Sequence, residues 1–312
     1  MKRGPRRVAC CGCFPMRTDP TAGELLGALI DGGQGTGCDV RDRGLHYGDG
    51  LFETLAVREG AMPLWDSHMR RLAAGCAALQ LPLPDTARLR AEAGRLCEGI
   101  ERGVLKLILT RGPGPRGYRI NHGAVRPTRL LLLYRPPVWS EAWWRDGVAV
   151  RLCTMRLGSN PALAGIKHLN RLEQVLARDE WTDPGIFEGL MMNREGRIVD
   201  GTMSNVFLCR GTELRTPAVS ECGVAGVMRE KVRKLARESG LRMEEGCVAP
   251  EDLASADEVF LSNALFGVLP VSRVGSGPIR APGPIALRFA RALAPFTLAP
   301  ALGSGNDGEE LP

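Results

Sequence analysis

The run Pro136-Pro137-Val138-Trp139 limits the fold more than any other feature of the chain. Two successive prolines remove two backbone donors and fix both φ angles, so neither a helix nor a central strand crosses this point. On either side, short apolar runs alternate with stretches of helical spacing. Upstream, Ala28–Asp31 and Leu51–Val57 read as strands, Trp65–Leu79 and Asp85–Ile100 as amphipathic helices, and Val104–Thr110 and Arg129–Tyr134 as buried strands. Downstream, strands are expected at Val148–Thr154, Gly189–Asn193, Arg197–Val199, Asn205–Cys209 and Glu258–Ser262. Helices are expected at His168–Trp181, with Leu169, Leu172, Val175 and Leu176 inward, and at Val227–Ser239. Mixed elements in both halves predict an α/β (α+β) chain of two domains, 24–135 and 143–295, with a cleft between them. Residues 1–23 and 300–312 carry no periodicity and read as disordered extensions.

Composition narrows the function class. Hydrophobic residues are 44% and charged residues 24% of the 312, which excludes wholesale disorder. The net charge of +6 is spread along the chain and aromatics are 5%, so the excess points to anionic small molecules rather than nucleic acid. Most of the ten cysteines stand alone in apolar segments such as Leu152-Cys153 and Leu208-Cys209, where a thiol serves as a small core hydrophobe. Cys10-Cys11-Gly12-Cys13 has no second ligand pair nearby, and no metal site is expected. The basic start Lys2–Arg7 has no secretory apolar region behind it, and no apolar run nears the ~20 residues of a membrane helix. A cytoplasmic protein is expected.

Only five of the 41 Lys and Arg residues are lysine, so a search for a nucleophilic amine is short. Lys2 lies in the extension. Lys231 and Lys234 share a helix with Arg229, Arg233 and Arg237, the composition of a solvated face, and Lys106 is an isolated charge at a strand edge or interface. Lys167 follows the loop Ser159–Gly165 at the mouth of the expected helix. A helix N-terminus disfavours an ammonium, and a neutral amine suits Schiff-base chemistry, although a surface lysine would occupy the same position.

The words around Lys167 settle the choice. Asp42-Arg43-Gly44-Leu45-His46-Tyr47-Gly48-Asp49-Gly50-Leu51-Phe52-Glu53-Thr54 resembles the opening signature of the fold-type IV pyridoxal-phosphate enzymes. His68–Leu72, Thr110–Tyr118, Gly165–Glu173, Asp200–Phe207, Gly223–Arg229 and Ser262–Ala264 continue that resemblance in order across about residues 25–275. Within the superfamily, Arg116-Gly117-Tyr118 and Lys167-His168-Leu169-Asn170-Arg171 are most similar to the aminodeoxychorismate lyases; the same superfamily holds branched-chain and D-amino-acid aminotransferases.

The resemblance implies a homodimer with pyridoxal 5'-phosphate as cofactor. Lys167 would form the Schiff base and move protons. Arg71 would pair with the phosphate, together with backbone amides at Val227 and Met228, while Asn263 and Ala264 complete the cup. Asp200, where the family usually has glutamate, would face the pyridine nitrogen with one methylene less reach. Arg116 would clamp a substrate carboxylate, with Tyr118 and His46 beside it. The implied reaction is conversion of 4-amino-4-deoxychorismate to 4-aminobenzoate and pyruvate. An aminotransferase on the same scaffold is the alternative, and a vitamer-binding protein without turnover would not need Lys167.

Overall fold

Leu105, Leu107 and Leu109 are buried completely, whereas Lys106 and Ile108 between them are half-exposed. This two-residue period turns one face of the strand onto a core and leaves the other open. The same rule builds the five-stranded antiparallel sheet of the first half. The computed structural model describes residues 23–35, 37–124 and 126–302. The strands β1 (Leu25–Ile30), β2 (Gly33–Gln34), β3 (Gly50–Arg58), β4 (Arg102–Thr110) and β5 (Thr128–Tyr134) lie in the order β2-β1-β5-β4-β3. The short helix α1 (Arg43–Tyr47) precedes β3, capped by the Asp42 carboxylate. Helices α2 (Trp65–Leu79) and α3 (Thr86–Cys97) cover the core face, α2 with Trp65, Met69, Leu72 and Cys76 on one stripe. Asp85 caps α3 by accepting from the Ala87 and Arg88 amides, an arrangement worth about 1 kcal/mol.

The second half is organised differently. Its sheet comprises β6 (Val148–Leu157), β7 (Ile186–Asn193), β8 (Ile198–Gly201), β9 (Asn205–Arg210), β10 (Glu213–Pro217), β11 (Arg242–Gly246), β12 (Glu258–Asn263), β13 (Gly267–Val274) and β14 (Gly277–Pro278). The order is β11-β10-β9-β12-β13-β6-β7-β8, with β14 paired to β13. Helices α4 (Ala142–Asp146), α5 (Leu172–Arg178), α6 (Val227–Glu238), α7 (Pro250–Ala254) and α8 (Pro284–Leu293) accompany it. β9 and β12 are buried along nearly their whole length, so their apolar runs are continuous rather than alternating. Phe207 stacks on Phe260 at 5.1 Å, and Phe289 of α8 meets Phe260 edge-on.

Three expectations are corrected. The helix after Lys167 begins at Leu172 rather than His168, because His168 and Leu169 instead pair with β3. On that helix Leu172, Val175 and Leu176 face outward, exposed by 69%, 61% and 50%. Arg229 is buried rather than solvated, held by Glu245 and the Pro217 carbonyl. The expected extensions fall, apart from residues 23 and 300–302, outside the described residues, as do Cys10, Cys11 and Cys13. Cys76, Cys97, Cys153, Cys209 and Cys222 are free and buried. No helix among the described residues is long and apolar enough to cross a membrane.

Candidate active site

Lys167 is carried on a segment stitched to both halves of the molecule. Its carbonyl accepts from the Phe52 amide at 3.0 Å, and the Leu169 amide donates to Gly50. On the other side, Gly165 donates to the Gly223 carbonyl and accepts from the Ala225 amide. Gly165 has φ +75°, which glycine adopts without strain. Arg171 folds back on the same segment, donating through Nε to His168 O at 2.9 Å and through Nη2 to Ile166 O at 3.0 Å. The backbone on both flanks of Lys167 is thereby fixed.

The Lys167 amine opens into a cavity of about 330 Å³, lined from the first half by Phe52, Thr54 and Arg71. From the second half, Lys167, Asp200, Val227, Met228, Asn263 and Ala264 reach it, so every residue expected to hold the cofactor borders one space. His46, Arg116 and Tyr118 do not line it. His46 bonds the Val40 carbonyl, Arg116 is exposed, and Tyr118 is 85% exposed. Their loop is nevertheless ordered, because Arg43 donates to the Gly117 and Tyr118 carbonyls and Tyr47 Oη accepts from the Gly117 amide.

Burial pushes the Lys167 ammonium down to about 7, reinforced by the guanidinium groups of Arg71 and Arg171. The cause is therefore desolvation and like charge rather than a helix terminus, which lies farther along the chain. His168 is pushed down to about 4, first by burial and then by Arg171, so it is neutral at pH 7 and caps no helix. Asp200 is pushed up to about 7 by burial, against the opposing influence of the Val224 amide and the Arg171 charge. Its Oδ2 accepts from Val224 N at 3.1 Å, whereas its Oδ1 is buried with no partner. An orphaned carboxylate oxygen in a cavity wall is costly unless a donor arrives from within the cavity.

Arg71 departs from expectation in one respect. Its bidentate edge is taken by Glu53, with Nε–Oε1 at 2.9 Å and Nη2–Oε2 at 2.5 Å, and Nη1 donates to Ala225 O. Glu53 also accepts from His68 Nδ1 at 2.6 Å, making a buried Glu53–His68–Arg71 cluster. Burial raises the Glu53 carboxyl most, but the charges and hydrogen bonds of Arg71 and His68 together outweigh it and leave the group at about 2. α6 begins at Val227 behind Gly226, an N-cap that offers no side-chain bond, and Gly226, Val227 and Met228 all border the cavity. A Cβ at Gly226 would collide with the Asn205 side chain, which itself donates to Val224 O. The Asn263 carboxamide is spent on the Leu265 and Phe266 amides, so any contribution from this residue to a ligand is from its backbone.

Glu53, His68, Arg171, Gln174 and Ser262 were not singled out from sequence. Glu53 had a signal: it stands between Leu51 and Leu55 on the core-facing side of a strand, where an acid needs a buried cation. Glu188, fully buried, accepts from the Thr202 and Met203 amides and from Thr202 and Ser204 hydroxyls, fixing the turn after Asp200.

Comparison with known proteins places the chain in a family. Residues 50–274 match the family described as amino-transferase class IV. The chain is 34% identical to an aminodeoxychorismate lyase of Vibrio harveyi, over 79% of this chain and 91% of that protein. It is 31% identical to a D-alanine aminotransferase of Bacillus licheniformis, over 82% and 90%. The crystal structure of 4-amino-4-deoxychorismate lyase from Pseudomonas aeruginosa superposes with a TM-score of 0.81 at 44% identity, covering 86% of this chain and 98% of that one. The chain belongs to the amino-transferase class IV family.

Proposed function

We propose that this protein is a pyridoxal-phosphate-dependent lyase that converts 4-amino-4-deoxychorismate to 4-aminobenzoate and pyruvate. The observation that carries the reading is the pairing, in one cavity, of a lysine held near neutrality with the orphaned Oδ1 of Asp200, in a chain 44% identical to the Pseudomonas aeruginosa lyase. The residues fit the cofactor. Asp200 Oδ1 would accept from the ring nitrogen, the Val227 and Met228 amides with Arg71 would hold the phosphate, and Lys167 would hold the aldehyde carbon. When bound, the cofactor supplies an electron sink conjugated to the substrate amine.

The chain's own residues handle positioning and protons. Lys167 Nζ, neutral through burial, takes the proton from the amine-bearing carbon; the neighbouring ether oxygen departs as the ring becomes aromatic. The same amine returns a proton to the departing enolpyruvate. Arg171 and the bonds to β3 hold Lys167 in place while this happens.

The active form is a homodimer. Leu45, Tyr118, Leu172, Val175 and Met203 are all more than half exposed, and Met203 also borders the cavity, so the apolar surface reaches its mouth. α1 is tied to the segment before α5 by the Asn170–Gly48 bond, and Tyr47 packs on Tyr118 at 5.3 Å. A second copy covers this face, and Arg116, which lies outside its own cavity, clamps a substrate carboxylate in the cavity of that second copy. The free buried thiols fit a reducing, cytoplasmic setting.

The test feeds purified protein 4-amino-4-deoxychorismate and assays pyruvate, beside branched-chain and D-amino acids with 2-oxoglutarate. Pyruvate release from the first supports the lyase. Amino transfer alone supports the aminotransferase reading, which the 31% identity to a D-alanine aminotransferase favours.

A further inference from the structure

Three residues on the cavity wall each keep a buried polar atom without a partner among the described residues: Gln174 Oε1, Asp200 Oδ1 and Ser262 Oγ. The Asp200 oxygen is answered by the cofactor ring nitrogen in the reading above, and the Ser262 hydroxyl by nothing. Ser262 is 1% exposed, so bulk water does not satisfy it, and a buried hydroxyl without a partner is costly. In the β9–β12 register Ser262 pairs with Asn205, as Phe260 pairs with Phe207. Paired residues share a face and side chains alternate along a strand. Ser262 and Asn205 therefore stand on the face of the Phe207–Phe260 stack, one step nearer the cavity. Val227 and Met228 pack in the same core as that stack. Asn205 is pressed against the start of α6, since its Oδ1 would meet a Cβ on Gly226 at 2.1 Å. The hydroxyl thus stands beside the residue that underlies the α6 N-terminus.

The other side-chain donors near that N-terminus are committed. Arg71 gives its Nε–Nη2 edge to Glu53 and a bond from Nη1 to Ala225 O. The Asn205 carboxamide donates to Val224 O, and the Thr202 and Ser204 hydroxyls donate to Glu188. On the second half's wall, Ser262 is the hydroxyl whose proton is unspent. We propose that Ser262 is a side-chain donor of the phosphate cup, its hydroxyl donating to a phosphate oxygen beside the Val227 and Met228 amides. This rests on the reading of those amides as the phosphate site. A hydroxyl proton rotates to meet its acceptor, and a bond to an anionic oxygen is stronger than one between neutral groups. Ser262 thereby adds selection for the phosphorylated form of the cofactor. Unphosphorylated pyridoxal offers the same aldehyde to Lys167 but leaves the buried hydroxyl unanswered.

The experiment strips cofactor from full-length wild type, Ser262→Ala, Ser262→Cys and Ser262→Thr, then titrates each with pyridoxal 5'-phosphate and with pyridoxal. Binding is read from cofactor absorbance. Wild type should prefer the phosphorylated form. Ser262→Ala should weaken pyridoxal 5'-phosphate by about ten- to hundredfold and leave pyridoxal unchanged. Ser262→Cys nearly preserves the side chain's shape but offers only a weak donor, so it should show most of the same loss, and it carries the comparison if Ser262→Ala fails to fold. Ser262→Thr, which keeps the hydroxyl, should retain most of the preference. Equal loss of both ligands in Ser262→Ala and Ser262→Cys would mark a residue that only packs and overturn the assignment, as would an unchanged affinity for pyridoxal 5'-phosphate. Either result beside a wild type that prefers the phosphorylated form fails Ser262 alone. A wild type without that preference fails the phosphate cup, and Ser262 with it.

Discussion

The two walls of the cavity each bury an arginine, and the two guanidinium groups are held in opposite ways. Arg71, from α2, is locked by a carboxylate, Glu53, which is itself braced by His68. Arg171, from the Lys167 segment, is held by two peptide carbonyls and has no carboxylate within ion-pair distance among the described residues. The first charge is paired where it stands, yet it still lowers the proton affinity of Lys167, with Glu53 opposing it. The second retains its field, which acts on Lys167 and Asp200 together, lowering the proton affinity of both. The wall that carries Arg171 thus holds a charge that no carboxylate offsets, beside the two groups whose protonation it biases.

The largest effect belongs to neither arginine. Lys167→Ala should cut turnover by at least about 10³-fold while phosphate contacts still retain cofactor; wild-type rates without added amine would dismiss Lys167. Glu53→Ala should then separate the walls most sharply. Leaving Arg71 and His68 buried without their acid costs about 3–5 kcal/mol of stability, readable in urea unfolding, and weakens cofactor retention. The Glu53 carboxyl is held down at about 2 in the fold, against 4.5 for a free glutamate side chain. Its contribution is therefore complete above about pH 4.5 and lost as the pH falls toward 2, and Glu53→Gln should flatten that part of the curve. A Glu53→Ala protein as stable as wild type at pH 7 would mean the cluster locks nothing.

Arg116 lies on neither wall, and its variant asks whether a third cation comes from outside. Arg116→Ala should raise KM or lower kcat for 4-amino-4-deoxychorismate about ten- to hundredfold with cofactor absorbance unchanged. Mixing it with Lys167→Ala should restore about a quarter of wild-type activity through randomly paired dimers that contain one intact site. Failure to restore any would place Arg116 at its own chain's site or at none. The smallest effect is expected from Arg171→Met. Cofactor attachment to wild-type apoprotein should accelerate as the pH rises through about 7, where Lys167 loses its proton. Removing the positive neighbour should move that midpoint upward and slow attachment about three- to tenfold at pH 7. An unmoved midpoint would reduce Arg171 to a backbone tether.

The wall that sequence revealed best is the one built from local chain geometry. Asp200, Val227 and Met228 occupy short words whose neighbours dictate a strand end or a helix start, and the structure brings them to one cavity. Glu53 was half-legible, an acid on the inward phase of a β-strand. The start of α5 was not legible, because His168 and Leu169 are drawn out of the helix by hydrogen bonds to β3, residues more than a hundred positions away. Periodicity likewise showed that Leu172, Val175 and Leu176 share a stripe, but a stripe carries no label for what it faces. Arg116 illustrates the same limit, since a glycine- and proline-rich loop says that a side chain is free and leaves its destination open.

The bond from the Phe52 amide to the Lys167 carbonyl has a consequence for how the site comes into being. The Lys167 amine is encoded in the second half of the chain but is registered against the edge strand of the first. Parting the halves would break that register, and it would also carry Arg71 of α2 away from the start of α6. The amine and the Arg71 flank of the cavity therefore both depend on the two sheets being in place. A chain whose first half is out of place lacks both Phe52 and Arg71 at the cavity wall.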